Sequence, residues 1–223
     1  KTKNLYTIFI LICFQGFIGW YMVSSGLIDR VDVSHYRLSL HLFLAFIILS
    51  LIFWNYLKCK NINYSQDKIK NFLPITFLLL IFIQIIIGAF VSGMDAGKIY
   101  NSWPLMGESY FPNDNVIANL FNLSVFNEPS LMQFVHRNLA YLIFFFYLLI
   151  FINVYKNKLS TFFKATNIIG LLLFLQIVLG ILTLLSGAQI FIASMHQISS
   201  IFLVSSSIYL VYLNFYSNLQ PLD

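Results

Sequence analysis

The chain has 223 residues, 59% of them hydrophobic and only 9% charged, with a formal net charge of +5. That composition excludes a water-soluble domain, because apolar stretches of about 20 residues are long enough to cross a bilayer as helices. Six such stretches predict an all-α integral membrane protein, a six-transmembrane-helix bundle over roughly 5–24, 38–57, 73–93, 131–153, 164–185 and 191–214.

Charge sorts the connections between these stretches. One side carries Lys1, Lys3, Lys58, Lys60, Lys68, Lys70, Lys156, Lys158 and Lys164 against only Asp67 and Asp223. The other carries Arg30, Arg37, Lys98 and Arg137 against Asp29, Asp32, Asp95, Glu108, Asp114 and Glu128. The positive-inside rule puts both termini in the cytoplasm. The net positive charge is then an orientation signal, and no nucleic-acid partner is expected. Cys13 within the first stretch and Cys59 at the inner end of the second differ in depth, so no disulfide is expected. No cleavage-site pattern flanks the first helix; a signal peptide is not expected, and a preceding N-terminal piece is.

Taken in chain order, the first hairpin carries Gln15-x-x-x-Gly19 on its first helix and His41 on its second. Arg37 and His41 stand i, i+4 and share a face, with Arg37 a turn nearer the water. Two readings stay open: His41 on a haem iron with Arg37 on a propionate, or Arg37 snorkelling to headgroups while His41 bonds a neighbouring helix. His35 is read as a solvated loop residue. The second hairpin repeats the pattern with Gln84-x-x-x-Gly88 and His136. Its outer loop, 94–130, is rich in aromatics, including Trp103, Tyr110, Phe111, Phe121 and Phe126. Such a loop is expected to fold back over the outer face and lie in the interface. Asp95, at the head of this loop, is read either as a backbone cap or as a chemical group. Arg137 follows His136 and points about 100° away from it, so it serves either a neighbouring haem edge or the interface. The third hairpin carries Gln176-x-x-x-Gly180 and His196, with the small residues Ala193, Ser194, Ser199 and Ser200 beside the histidine. These allow a helix or a flat ring to approach closely. The three glycines are read chiefly as helix-packing residues and the glutamines as cross-helix hydrogen-bond donors.

Ionisable groups inside a membrane are costly and mark function. Three histidines at one depth of three matched hairpins point to haem, since bis-imidazole ligation needs one histidine from each of two helices. No Cys or Glu stands beside them to complete a zinc set. A repeat working in pairs needs four histidines, so one hairpin is expected before the first.

Longer motifs carry a family resemblance. Gly19-Trp20-Tyr21-Met22-Val23-Ser24-Ser25-Gly26-Leu27 and Val33-Ser34-His35-Tyr36-Arg37-Leu38-Ser39-Leu40-His41-Leu42 resemble haem A synthase. So do Gly93-Met94-Asp95-Ala96-Gly97-Lys98-Ile99-Tyr100-Asn101-Ser102-Trp103-Pro104-Leu105-Met106, Gln133-Phe134-Val135-His136-Arg137 and His196-Gln197. The resemblance covers essentially the whole chain and is closest to the proteobacterial and mitochondrial branch. It implies an eight-helix enzyme made of a pseudo-symmetric pair of four-helix bundles, of which six helices remain here. Residues 1–72 would be a partial amino-terminal half on the substrate-haem side. Residues 73–223 would be the carboxyl-terminal four-helix bundle that keeps haem b, with outer loop 94–130. The implied reaction oxidises the C8 methyl of haem O to a formyl, giving haem A for cytochrome oxidase. His136 and His196 match the haem b pair, with Arg137 beside them; His41, with Arg37, matches the second ligand of the substrate half.

The family's first two helices, and with them a first substrate-site histidine and an outer-side Glu, have no counterpart. No catalytic residue is therefore assigned, and the chain by itself is expected to be inactive. Implied partners are haem O and the haem O synthase that supplies it, an unidentified electron donor and the lipid bilayer, with a homo-oligomer left open. The implied location is the bacterial inner membrane. The alternatives are a membrane cytochrome b that transfers electrons, and a non-redox scaffold or transporter.

Overall fold

The computed structural model describes residues 2–26, 32–60, 67–70 and 72–216. Lys1, Leu27, Asp29, Arg30 and Asp223, used above, lie outside the described residues. Six helices follow in order: α1 (Thr2–Gly26), α2 (His35–Cys59), α3 (Phe72–Gly93), α4 (Pro129–Lys156), α5 (Ser160–Leu185) and α6 (Ile190–Tyr216). All six are long and apolar enough to cross a membrane, and no strand occurs among the described residues. Each helix is slightly longer than its apolar stretch. Pro129 opens α4 at a position where its missing N–H costs nothing. Lys58 and Lys156 sit in the last turns of α2 and α4, where a cation is favoured beside the terminal carbonyls.

Helices adjacent in sequence pack as antiparallel neighbours. The pairs α3–α4, α4–α5, α5–α6 and α3–α6 close a four-membered ring in which α4 and α6 stand at opposite corners. Outside it, α2 packs on α3 and α6, and α1 packs on α2. The main core fills the inner half of the ring: Phe77 and Ile81 of α3, Ile143, Ile150 and Val154 of α4, Phe162 and Ile169 of α5, and Val204, Ile208 and Leu210 of α6. A strap at the inner end ties the ring shut. The Asp67 carboxylate accepts from Thr161 N–H at 3.0 Å and from its hydroxyl at 2.8 Å, at the start of α5 where a negative charge is favoured. The Ile69 N–H donates to the buried Asn214 at 2.8 Å.

The outer half of the ring is packed differently. No residue of α4 between 134 and 142, of α5 between 174 and 185, or of α6 between 190 and 198 is fully buried. Above this layer Leu131, Met132 and Gln133 of α4 are buried again, under the 94–130 loop. The loop folds back onto the helix ends with three short 3-10 turns. Phe111 and Tyr110 pack edge-on against Phe134, and Met106 and Val125 are buried.

The lysine asymmetry and this six-helix order fix an expected labelling pattern. Single cysteines at Lys68 and Asn115, in a background lacking Cys13 and Cys59, should react with an impermeant maleimide from opposite faces of the membrane. Labelling of both from one face would overturn the six-span arrangement.

Candidate functional site

The three hairpins repeat one local geometry. In each, the glutamine of the first helix donates its amide N–H to the backbone carbonyl of the histidine on the second. The distance is 3.0 Å for Gln15–His41, Gln84–His136 and Gln176–His196 alike. A turn further along, the glycine faces the imidazole. A Cβ at Gly19 would stand 3.0 Å from Cε1 of His41, and Cβ atoms at Gly88 and Gly180 would stand 3.2 Å from Cε1 of His136 and His196. The glycines therefore make room for the imidazole itself. The expectation that they serve chiefly helix packing is refined: the close neighbour is the ring, not the opposing backbone.

The histidines share a depth. His41 and His196 each lie six residues into their helices and His136 seven, about 9–10 Å below the outer helix ends at 1.5 Å per residue. At that depth Nδ1 of all three is buried with no hydrogen-bond partner among the described residues. Nε2 of His41 and His136 stands 3.2 Å and 3.3 Å from the glutamine amide nitrogen. That nitrogen also faces a carbonyl, which only accepts, so the amide orientation is fixed and Nε2 is the acceptor. Gln176 differs: its second contact is the Ser199 hydroxyl at 2.7 Å, which in turn donates to the His196 carbonyl at 3.0 Å. Ser199 is thus a hydrogen-bond relay and not merely a small residue.

His136 and His196 stand on the diagonal pair α4 and α6, within electrostatic reach of each other. Both stand between the main core and the residues packed under the outer loop. One imidazole from each of two helices is the donor set that bis-imidazole haem binding needs, and the iron would take the Nε2 lone pair, which in His136 here accepts from Gln84 at 3.3 Å. No group of three or more His, Cys, Asp or Glu side chains able to hold a bare metal ion occurs among the described residues. His41 faces α1, and Arg37 stacks on Tyr21 of that helix, with its guanidinium 4.9 Å from the ring centroid. Nη1 of Arg37 is buried without a partner.

Three expectations change or sharpen. His35 is not in a solvated loop: it opens α2, and its ring lies 5.2 Å from Phe90 of α3 and 4.3 Å from Tyr36. The end of α3 passes so close to α2 that a Cβ at Gly93 would be 2.9 Å from the His35 backbone. Asp95 provides no side-chain cap; it is exposed and pairs with Lys98 at 2.9 Å. Arg137 is engaged by protein, donating to the carbonyls of Tyr100, Ser102 and Leu105 at 3.1, 3.0 and 3.2 Å. Its Nε is buried and unpartnered. The sequence reading missed this loop grip.

The cytochrome oxidase assembly protein family model, COX15-CtaA, matches residues 1–208. The chain belongs to this family. A curated relative named haem A synthase from Pelagibacter ubique is 49% identical over 213 residues, covering 96% of this chain and 63% of that protein. Proteins of the same name from Rickettsia prowazekii and Rickettsia felis are 38% and 40% identical, over 92% and 88% of this chain and 61% and 59% of theirs. The chain thus spans about three fifths of the length of these relatives. Family and helices together make it an integral membrane protein.

The glycine clearance yields a direct test. Gly88→Val and Gly180→Val push a side chain into the imidazole and should cost about 1–3 kcal/mol by overpacking. Gly16 has nothing within 4 Å of its Cβ position, so Gly16→Val should be close to neutral. Thermal unfolding of detergent-solubilised protein measures the difference; equal losses at all three positions would remove the clearance role.

Proposed function

We propose that the protein serves haem A formation, the oxidation of the C8 methyl of haem O to a formyl. Residues 73–223 are the half that keeps a haem b, and residues 1–72 contribute to the half that receives haem O as substrate. The observation that carries the reading is the repeated histidine site: three imidazoles at one depth, each cleared by a glycine, two of them on the diagonal helices of one four-helix ring. The family match and the names of the relatives support it.

In this reading His136 and His196 hold the iron of haem b. When bound, that group supplies one-electron transfer between an external donor and the substrate half. The chain's own residues do the rest. Gln84 and Gln176 fix the rotation of α4 and α6 through the histidine carbonyls, which sets where each imidazole points. The outer loop excludes water from the layer above the histidines. His41 presents a ring nitrogen toward the substrate half, and Arg37, one turn nearer the outer surface, offers a charge to a substrate propionate. Methyl-to-formyl oxidation takes electrons from the substrate and adds one oxygen atom, so it requires an oxidant from outside the chain; with dioxygen in that role, the external donor would supply the electrons that take the second oxygen atom to water. The proposed setting is the inner membrane, with both termini cytoplasmic and the haem sites toward the outer side. Haem O synthase would supply the substrate and cytochrome oxidase would receive the product.

The test is pigment analysis of the purified 223-residue chain from cells that make haem O. It should bind about one haem with a low-spin bis-imidazole spectrum. His136→Ala and His196→Ala should abolish or convert that spectrum, while His35→Ala should leave it unchanged. The chain should make no haem A by itself, whereas a chain with the family's first hairpin joined to it should. An unchanged spectrum in both helix variants would reject the ligand pair, and haem A made by the 223-residue chain would reject the division of labour between the halves.

A further inference from the structure

Arg137 occupies an odd position for a residue next to a haem ligand. Its guanidinium is half-buried, yet it forms no ion pair among the described residues; three donors go to backbone carbonyls of one short segment, Tyr100 to Leu105. Gln133, one turn earlier on α4, donates to the same Tyr100 carbonyl at 3.0 Å. The segment is also fastened elsewhere. Trp103 Nε1 donates to the Tyr141 hydroxyl of α4 at 3.2 Å, and Asn101 donates to the Leu184 carbonyl at the end of α5 at 2.9 Å. Further along, the Tyr110 hydroxyl donates to Asn138 at 2.5 Å. A planar guanidinium can grip several carbonyls at once, which a lysine ammonium on a flexible stem does less well.

We propose that Arg137 is a positioning residue: it clamps the 100–105 segment as a fixed cover on the outer end of the α3–α6 ring and so sets the water access of the layer that holds His136 and His196. The part concerning haem rests on the function proposed above. The clamp itself does not. Hydrogen bonds to a charged donor are stronger than neutral ones; the Tyr100 and Leu105 carbonyls each have one neutral donor besides Arg137, Gln133 and the Ser102 hydroxyl, and the Ser102 carbonyl is held by Arg137. Removing the guanidinium takes away three of the segment's ties to the ring and leaves only the neutral contacts of Gln133, Asn101 and Trp103, which loosens it. The cover is held by Arg137 and Gln133, both on the helix of His136 and within one turn of it, so its opening admits water to the buried imidazole and to whatever the imidazole binds.

The fold supplies a way to lock the cover without Arg137. A Cβ at Gly97 would stand 3.5 Å from Cβ of Ala188 in the α5–α6 turn. Paired cysteines bridge at Cβ separations of about 3.5–4.5 Å. The experiment places Gly97→Cys and Ala188→Cys in membrane-embedded full chain lacking Cys13 and Cys59, and follows disulfide formation by loss of maleimide labelling. The pair should cross-link readily. Adding Arg137→Met should slow cross-linking roughly tenfold or more, the effect of losing a charge-assisted contact, and Arg137→Lys should also slow it. In haem-loaded protein, Arg137→Met should shift the midpoint potential and let a small external ligand reach the iron. The preformed disulfide should reverse both changes.

Unchanged cross-linking in Arg137→Met overturns the clamp. Cross-linking that slows, with a potential that the disulfide does not restore, shows that Arg137 acts on the haem directly and overturns the positioning role. If Arg137→Met does not accumulate, Gln133→Leu, which removes the second grip on Tyr100, takes its place with the same expectations at smaller size. Absence of haem from the unsubstituted chain rejects the function proposal alone, and the cross-linking arm still decides the clamp.

Discussion

Everything at the histidine layer depends on one backbone contact, the glutamine amide on the carbonyl of a histidine in the next helix. A helical carbonyl already accepts a bond from the N–H four residues on, and its second lone pair is normally idle. The glutamine uses that lone pair to fix one helix against its neighbour in both height and rotation. Inside a membrane no water competes for the contact, and an unmet amide is costly. With rotation fixed, the imidazole must project toward the preceding helix, and only a glycine there leaves it space. The Gln-x-x-x-Gly spacing is therefore a single device: the amide sets the register, and the missing side chain one turn on accepts its consequence.

This device explains which parts of the protein were legible in its sequence. The histidines and their common depth could be read directly because glutamine, glycine and histidine recur at the same spacing in three apolar hairpins. The bundle class followed from hydropathy. Helix ends were read short because a window stops at the first polar residue, whereas the backbone continues through Lys58 and Lys156, where the helix terminus welcomes a cation. His35 was misplaced because its environment is tertiary: Phe90 and Gly93, more than fifty residues away, decide that it packs instead of being solvated. Arg137 shows the same limit. Its direction on the helix was readable, but the carbonyls it grips lie about 35 residues upstream in a segment with no periodic pattern.

The second and third hairpins are alike in frame and different in detail. Gln84 touches both the carbonyl and the ring of His136, while Gln176 reaches the Ser199 hydroxyl instead of the ring. The two imidazoles thus have unequal surroundings although their backbones are held the same way. The outer loop adds to the inequality, because it is fastened to α4 much more than to α6. One histidine is braced from two sides and the other from one.

The inner strap has a consequence for how the protein is made. Asp67 meets Thr161 across 94 positions of chain, and Ile69 meets Asn214 across 145. Helices emerge from the ribosome in order, and domains form from the N-terminal side first. Neither strap contact exists until α5 begins, and the second waits for the last turns of α6. The hairpins can form one by one during synthesis, but the ring they build stays open at its strapped end until translation is nearly complete. Assembly of this molecule is therefore a matter of timing as much as of shape: the walls of the ring stand apart through the whole interval between the third helix and the sixth before they are drawn together.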